Sequence, residues 1–161
     1  MNEKLIKQLR WFSYTALVFC AFWLVVLCIQ NYNHLFCTDG SHIHWEARQK
    51  VVLVAITVLS VYIILTLALI ATCSAFFINT LKGISQGVIF PKANINMINA
   101  TAILIFLQTV AADNLSQAFI SESPLSIALS SNPFVQSLAV LVFGIMYRIA
   151  YQLAEENELT V

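Results

Sequence analysis

All sixteen charged residues of this chain, eight basic and eight acidic, fall outside four apolar windows at residues 11–38, 51–81, 93–112 and 123–147. A hydrocarbon core of ~30 Å takes roughly 20 apolar residues at 1.5 Å rise each, and each window reaches that length. The windows predict an all-α integral membrane four-helix bundle in one domain covering residues 1–161, with spans at about 11–30, 50–79, 95–114 and 133–153.

With 60% hydrophobic and only 10% charged residues, the chain departs far from the roughly 25% charged share of an ordinary soluble domain, which argues against a cytosolic globular enzyme. The formal net charge is zero, so no overall field favours a direct nucleic-acid partner. The start, with Lys4, Lys7 and Arg10 ahead of Trp11 to Ile29, imitates a signal peptide. Its apolar run is too long and no small-residue cleavage site follows, so an uncleaved anchor in the lipid bilayer is expected. Cys20, Cys28 and Cys73 lie inside spans and only Cys37 sits in a loop, so no disulfide framework is expected.

Orientation follows from the basic residues. Lys4, Lys7, Arg10, Lys82, Lys92 and Arg148 share the side of the N-terminus against Arg48 and Lys50 opposite, which puts both termini on the cytoplasmic side of the membrane. Trp11, Tyr14, Tyr147 and Tyr151 then fall at the cytoplasmic interface as belt aromatics, with Tyr32 and Trp45 near the other. Asn132 ahead of Pro133 reads as the cap and first turn of the fourth helix, and Asn94 as the cap of the third.

The outer loop 31–49 gathers all three histidines and the loop cysteine: His34, Cys37, His42 and His44, with Asp39 and Glu46 nearby. Imidazole and thiolate suit zinc or copper, making this loop the place where a metal- or small-ligand-sensing protein would bind its ligand, although the spacing matches no established zinc motif. The same histidines, with an unperturbed pKa of ~6.5, also suit a pH sensor. Residues 115–131 form a second outer loop, expected to lie along the membrane surface.

Within the spans the polar residues are mild: Thr57, Ser60, Thr66, Thr72 and Ser74, then Asn99, Gln108 and Thr109, then Gln136 and Ser137, all expected to bridge neighbouring helices. No acidic residue lies mid-span, which disfavours an ion-driven transporter, and Asp113 sits at the outer end of the third helix. No nucleophile, acid/base pair, phosphate loop or metalloprotease motif can be named, so no catalysis is expected. The small residues Ala68, Ala71, Ser74 and Ala75 would allow close helix packing or a homo-oligomer.

Two cytoplasmic segments are more distinctive: the turn containing Gly87-Val-Ile-Phe90 followed by Asn94, and the terminus Ala154-Glu-Glu-Asn-Glu-Leu-Thr-Val161. Together they resemble those of bacterial domain-of-unknown-function family 2975, small four-helix membrane proteins whose members carry a similar glycine-isoleucine-phenylalanine turn and a similar end. The chain departs from the family pattern at Gln86 and Pro91, and its histidine loop has no counterpart there. The resemblance implies no enzymatic activity. It does imply a partner protein, since the family's genes often neighbour a small Cro-like helix-turn-helix regulator.

On the residues themselves, Glu155, Glu156 and Glu158 are unfavourable against a helix dipole, so capping does not explain them. An acidic-apolar end suits docking on a basic surface. The expected partner-binding residues are Gly87, Ile89, Phe90 and Asn94 of the turn, with Glu156, Asn157, Glu158, Leu159 and Val161 of the tail. The expected protein is a regulatory or scaffold protein of the membrane.

Overall fold

A computed structural model describes residues 3–36, 49–120 and 129–159. These form α1 (Glu3–Phe36), α2 (Gln49–Ser85), α3 (Ala93–Ile120) and α4 (Asn132–Leu159), with no strand among the described residues. All four are long and apolar enough to cross a membrane, over Glu3–Tyr32, Leu53–Ser85, Ala93–Leu115 and Asn132–Glu156. The chain is a multi-pass membrane protein by the length and composition of these helices.

Each helix outruns its expected span, because a helix continues past the bilayer for as long as good helix formers and a favourable terminus allow. Two expectations change with this: α1 runs on to Phe36, into the stretch from residue 31 read as outer loop. The stretch from residue 115, read as surface loop, continues α3 to Ile120. The caps shift as well. The carbonyl of Ser131 accepts the amide of Val135 at 3.2 Å, so Ser131 is the cap of α4, Asn132 its first residue and Pro133 its second. Pro133 still sits in the first turn, where a missing N–H costs nothing.

Backbones approach closely between neighbours in chain order, α1 with α2, α2 with α3, and α3 with α4, so among the described residues the four-helix array is open between α1 and α4. Ala55 and Leu59 of α2 form a buried pair against which Ile63 of the same helix and Leu115 of α3 pack, and Leu69, Ile98 and Ala102 are also nearly inaccessible. The α3–α4 contact depends on Gly144, whose missing side chain admits Ile98: a Cβ there would lie 3.1 Å from Ile98 Cγ2. The outward surfaces of α1 and α4 are apolar, with Phe19 68% and Val135 65% exposed, which only a lipid environment or another apolar surface tolerates.

Fewer span hydroxyls bridge helices than their chemistry suggests. Thr57, Ser60, Thr66 and Thr72 all donate to the carbonyl four residues back on their own helix. Across α3 and α4, Ser137 Oγ donates to the Ala102 carbonyl at 2.9 Å and Thr109 meets Gln136 at 3.3 Å. At the end away from the termini, Ser130 Oγ donates to Asp113 Oδ2 at 2.5 Å while accepting from the Asn132 amide at 3.3 Å, which ties the start of α4 to α3. Of the small α2 residues, Ala71 is exposed while Ala68, Ser74 and Ala75 are half-buried.

A cross-braced turn as candidate functional site

The turn between α2 and α3 is built from backbone chemistry first. Val88 N donates to the Gly83 carbonyl at 2.8 Å and Gly87 N to the Ile84 carbonyl at 3.3 Å. That pair of bonds is a Schellman motif, which satisfies the last carbonyls of a helix and requires a left-handed residue after the cap. Gly87 supplies it with φ of 79°. The chain then folds back so tightly that a Cβ on Gly83 would lie 2.5 Å from the Val88 carbonyl oxygen and 2.7 Å from Pro91 Cγ. Gly87 thus serves conformation and Gly83 serves space.

Asn94 fastens the far side of the turn. It is fully buried, and its Nδ2 donates to Thr80 Oγ1 at 2.9 Å and to the Phe76 carbonyl at 3.4 Å, while Thr80 donates to that same carbonyl at 2.9 Å. Its carbonyl oxygen Oδ1 is buried without a hydrogen-bond partner. Asn94 therefore does not cap α3, whose first bonds run from Asn94 N to Pro91 O and from Ile95 N to Lys92 O. Nor does it present its side chain outward, as direct contact with a partner would need. A short polar side chain that bonds two groups of α2 fixes where α3 starts, and Asn79 Nδ2 meets Met97 Sδ at 3.5 Å one turn further on.

Tyr147 of α4 completes the brace. Read as a belt aromatic, it is instead 8% exposed, its ring edge-on to Phe90 at 5.4 Å and to Phe76 at 5.9 Å, and its hydroxyl donates to the Pro91 carbonyl at 3.3 Å. Such ring pairs favour their geometry beyond simple burial. Sequence reasoning missed this residue because a tyrosine beside Arg148 at a span end looks the same whether it faces headgroups or a turn. Trp11 and Tyr14, by contrast, are exposed at 68% and 55%, as belt residues should be.

The structure therefore sorts the expected turn residues. Gly87 is exposed, Ile89 and Phe90 are half-buried, and Asn94 is internal. Ile89 and Gly87 also border a dimple shared with Leu5, Ile6 and Leu9, so the first turns of α1 lie beside the turn. Val88 is the more outward apolar residue at 44% exposed, and Lys82 and Lys92 flank it in the open.

Glu155 and Glu156 are exposed at the end of α4, and the helix continues through Asn157 and Glu158 to Leu159, whose side chains lie outside the described residues, as Val161 does entirely. In the other loop, His34 is in the last turn of α1 with its side chain outside the description, and Cys37, His42 and His44 lie outside the described residues. Among the described residues no three His, Cys, Asp or Glu side chains cluster as metal ligands. Cys20, Cys28 and Cys73 are free thiols. No protein-family model, curated protein or solved structure matches the chain.

Proposed function

We propose that this chain is a non-enzymatic regulatory or scaffold protein of a bacterial inner membrane, with both ends in the cytoplasm, that holds a cytoplasmic partner through its 80–94 turn and acidic C-terminal tail. The observation that carries the reading is the bracing of the turn against α2 and α4. Asn94 ties it to α2, Tyr147 ties it to α4, and two glycines set its path, while Gly87 and Val88 remain outward. A connection that merely reverses the chain needs a glycine and little more. One held in a single conformation presents a fixed surface, which lowers the ordering cost of recognition.

The partner that suits these residues is a small protein with a basic face, and a helix-turn-helix regulator meets that description, in keeping with the resemblance to family 2975. Glu155 and Glu156 would engage the basic face and Val88 an apolar contact beside it. The positive-inside bias of Lys7, Arg10, Lys82, Lys92 and Arg148 supports the cytoplasmic placement.

Co-purification from the native membrane tests this. The full chain should retain a cytosolic protein that is lost when residues 155–161 are removed or when Val88 is changed to Asp, with the truncated chain still inserted and helical. Unchanged capture of cytosolic proteins, together with unchanged transcription of the neighbouring genes, would refute the proposal.

A further inference from the structure

The two edges of the helix array carry faces that fit each other. α1 and α4 are those edges, and among the described residues they do not approach. On the α1 edge, Leu5, Ile6 and Leu9 meet Ile84, Gly87 and Ile89 around a dimple of about 30 Å³, which admits the tip of one aliphatic side chain and not a packed helix. Lys7, next to Ile6, and Lys82, two residues before Ile84, are both exposed. On the α4 edge, Ile149 and Leu153 are exposed at a spacing of one turn, and Glu156 follows Leu153 on the same face. One edge thus offers an apolar dimple with ammonium groups, and the other a projecting leucine with a carboxylate.

The aromatic rings set both faces at one height. Phe12 meets Phe77 at 6.1 Å and Phe76 meets Tyr147 at 5.9 Å, so α1, α2 and α4 share a level there. From that level toward the termini, Leu5 lies seven residues along α1 and Ile84 seven along α2, each ~10 Å, and Leu153 lies six along α4, ~9 Å. Lipid tails do not reach the dimple, because Leu9 and Leu5 stand ~3 and ~9 Å past the interfacial Trp11, at the depth of the headgroups. The chain's own Leu153 does not reach it either, since α4 nowhere approaches α1. We propose that a second copy of this chain, inserted the same way, docks edge to edge, with its Leu153 seated in the dimple and its Glu156 beside Lys7 and Lys82. Unlike faces meet, so the contact is head-to-tail and extends to a ring or a row. It does not rest on the reading of the turn and tail as a site for a cytosolic protein.

Disulfide trapping in membranes washed free of cytosol tests this. Full-length chains carrying Leu5→Cys and differently tagged chains carrying Leu153→Cys, co-expressed and oxidised with copper phenanthroline, should give a mixed dimer band that is absent when either is paired with the wild type. Both leucines are exposed, so neither change touches the core. Glu155→Lys with Glu156→Lys on the Leu153→Cys chain should lower the band by about fivefold. Leu138→Cys, exposed on α4 but nine residues from Tyr147 on the opposite side of the shared level, should give no band with Leu5→Cys. Native mass spectrometry of the wild type in mild detergent should show two or more chains together, a result that depends on no variant. A missing mixed band, an equal band from Leu138→Cys, a band indifferent to the charge reversal, or a wild type found only as single chains overturns the proposal. So does a cross-link from Leu5→Cys to a different protein in place of the second copy.

Discussion

Replacing Gly83 by alanine sets two physical effects against each other with opposite signs. By helix propensity alone the change stabilises a residue inside α2 by ~1 kcal/mol. The tertiary geometry opposes it, because the new methyl would stand 2.5 Å from the Val88 carbonyl oxygen and 2.7 Å from Pro91 Cγ. Neither neighbour can swing aside cheaply. One is backbone held in the turn by the 2.8 Å bond from Val88 N to the Gly83 carbonyl, and the other is a ring of fixed shape whose residue also accepts the Tyr147 hydroxyl. Over-packing of this kind costs about 1–3 kcal/mol, and prising the turn open weakens two Schellman bonds worth ~1 kcal/mol each. After subtracting the propensity gain, Gly83→Ala should destabilise by roughly 1–3 kcal/mol. Equilibrium unfolding by sodium dodecyl sulfate in mixed micelles, followed by circular dichroism, reads the difference. A variant as stable as the parent, or more stable, would refute the close approach of Val88 and Pro91 to this helix.

Gly87 offers the complementary case, since a Cβ there meets nothing but its φ is 79°: Gly87→Ala should lose ~1 kcal/mol and Gly87→Asn distinctly less in the same titration, because asparagine tolerates that conformation. Asn94→Ala removes the bonds to Thr80 and Phe76 but also an unpartnered Oδ1, so the loss should stay near ~1 kcal/mol, and a larger one would mean that Oδ1 is satisfied in the membrane. Ser137→Ala, which deletes the bond to the Ala102 carbonyl, should cost only ~0.6 kcal/mol, whereas Gly144→Leu at the same interface should separate α3 from α4 and cost about 2 kcal/mol or more. Elemental analysis of the purified protein should return no stoichiometric zinc or copper. A stoichiometric metal lost from His42→Ala and His44→Ala would instead favour the outer loop as a ligand site.

Much of the fold is legible in the order of the residues, and for a single reason. A charge in mid-bilayer is costly, so the absence of Asp, Glu, Lys and Arg over four windows marks four spans directly. Helix ends were less legible, because nothing in the apolar pattern stops a helix at the headgroups. Hence α3 reaches Ile120 and α2 reaches Ser85. The turn announced itself through Gly87 and Pro91, yet the jobs of its members did not. Asn94 looked like a cap and Tyr147 like a belt residue, and each is an internal brace. Nothing local to either residue distinguishes those roles, since the contacts that define them come from segments 14 and 56 residues away.

The placing of charge along the chain puts it in a membrane with four crossings and locates its polar segments between them. Which flank of each helix meets another helix and which is left outward comes only from how the helices pack. The reason is physical: a helix surrounded by hydrocarbon is apolar all round, so the amphipathic period that reveals the buried face of a soluble helix is missing. What replaces it is close fit at Gly83, Gly144, Asn94 and Tyr147, and fit exists only once the helices are side by side.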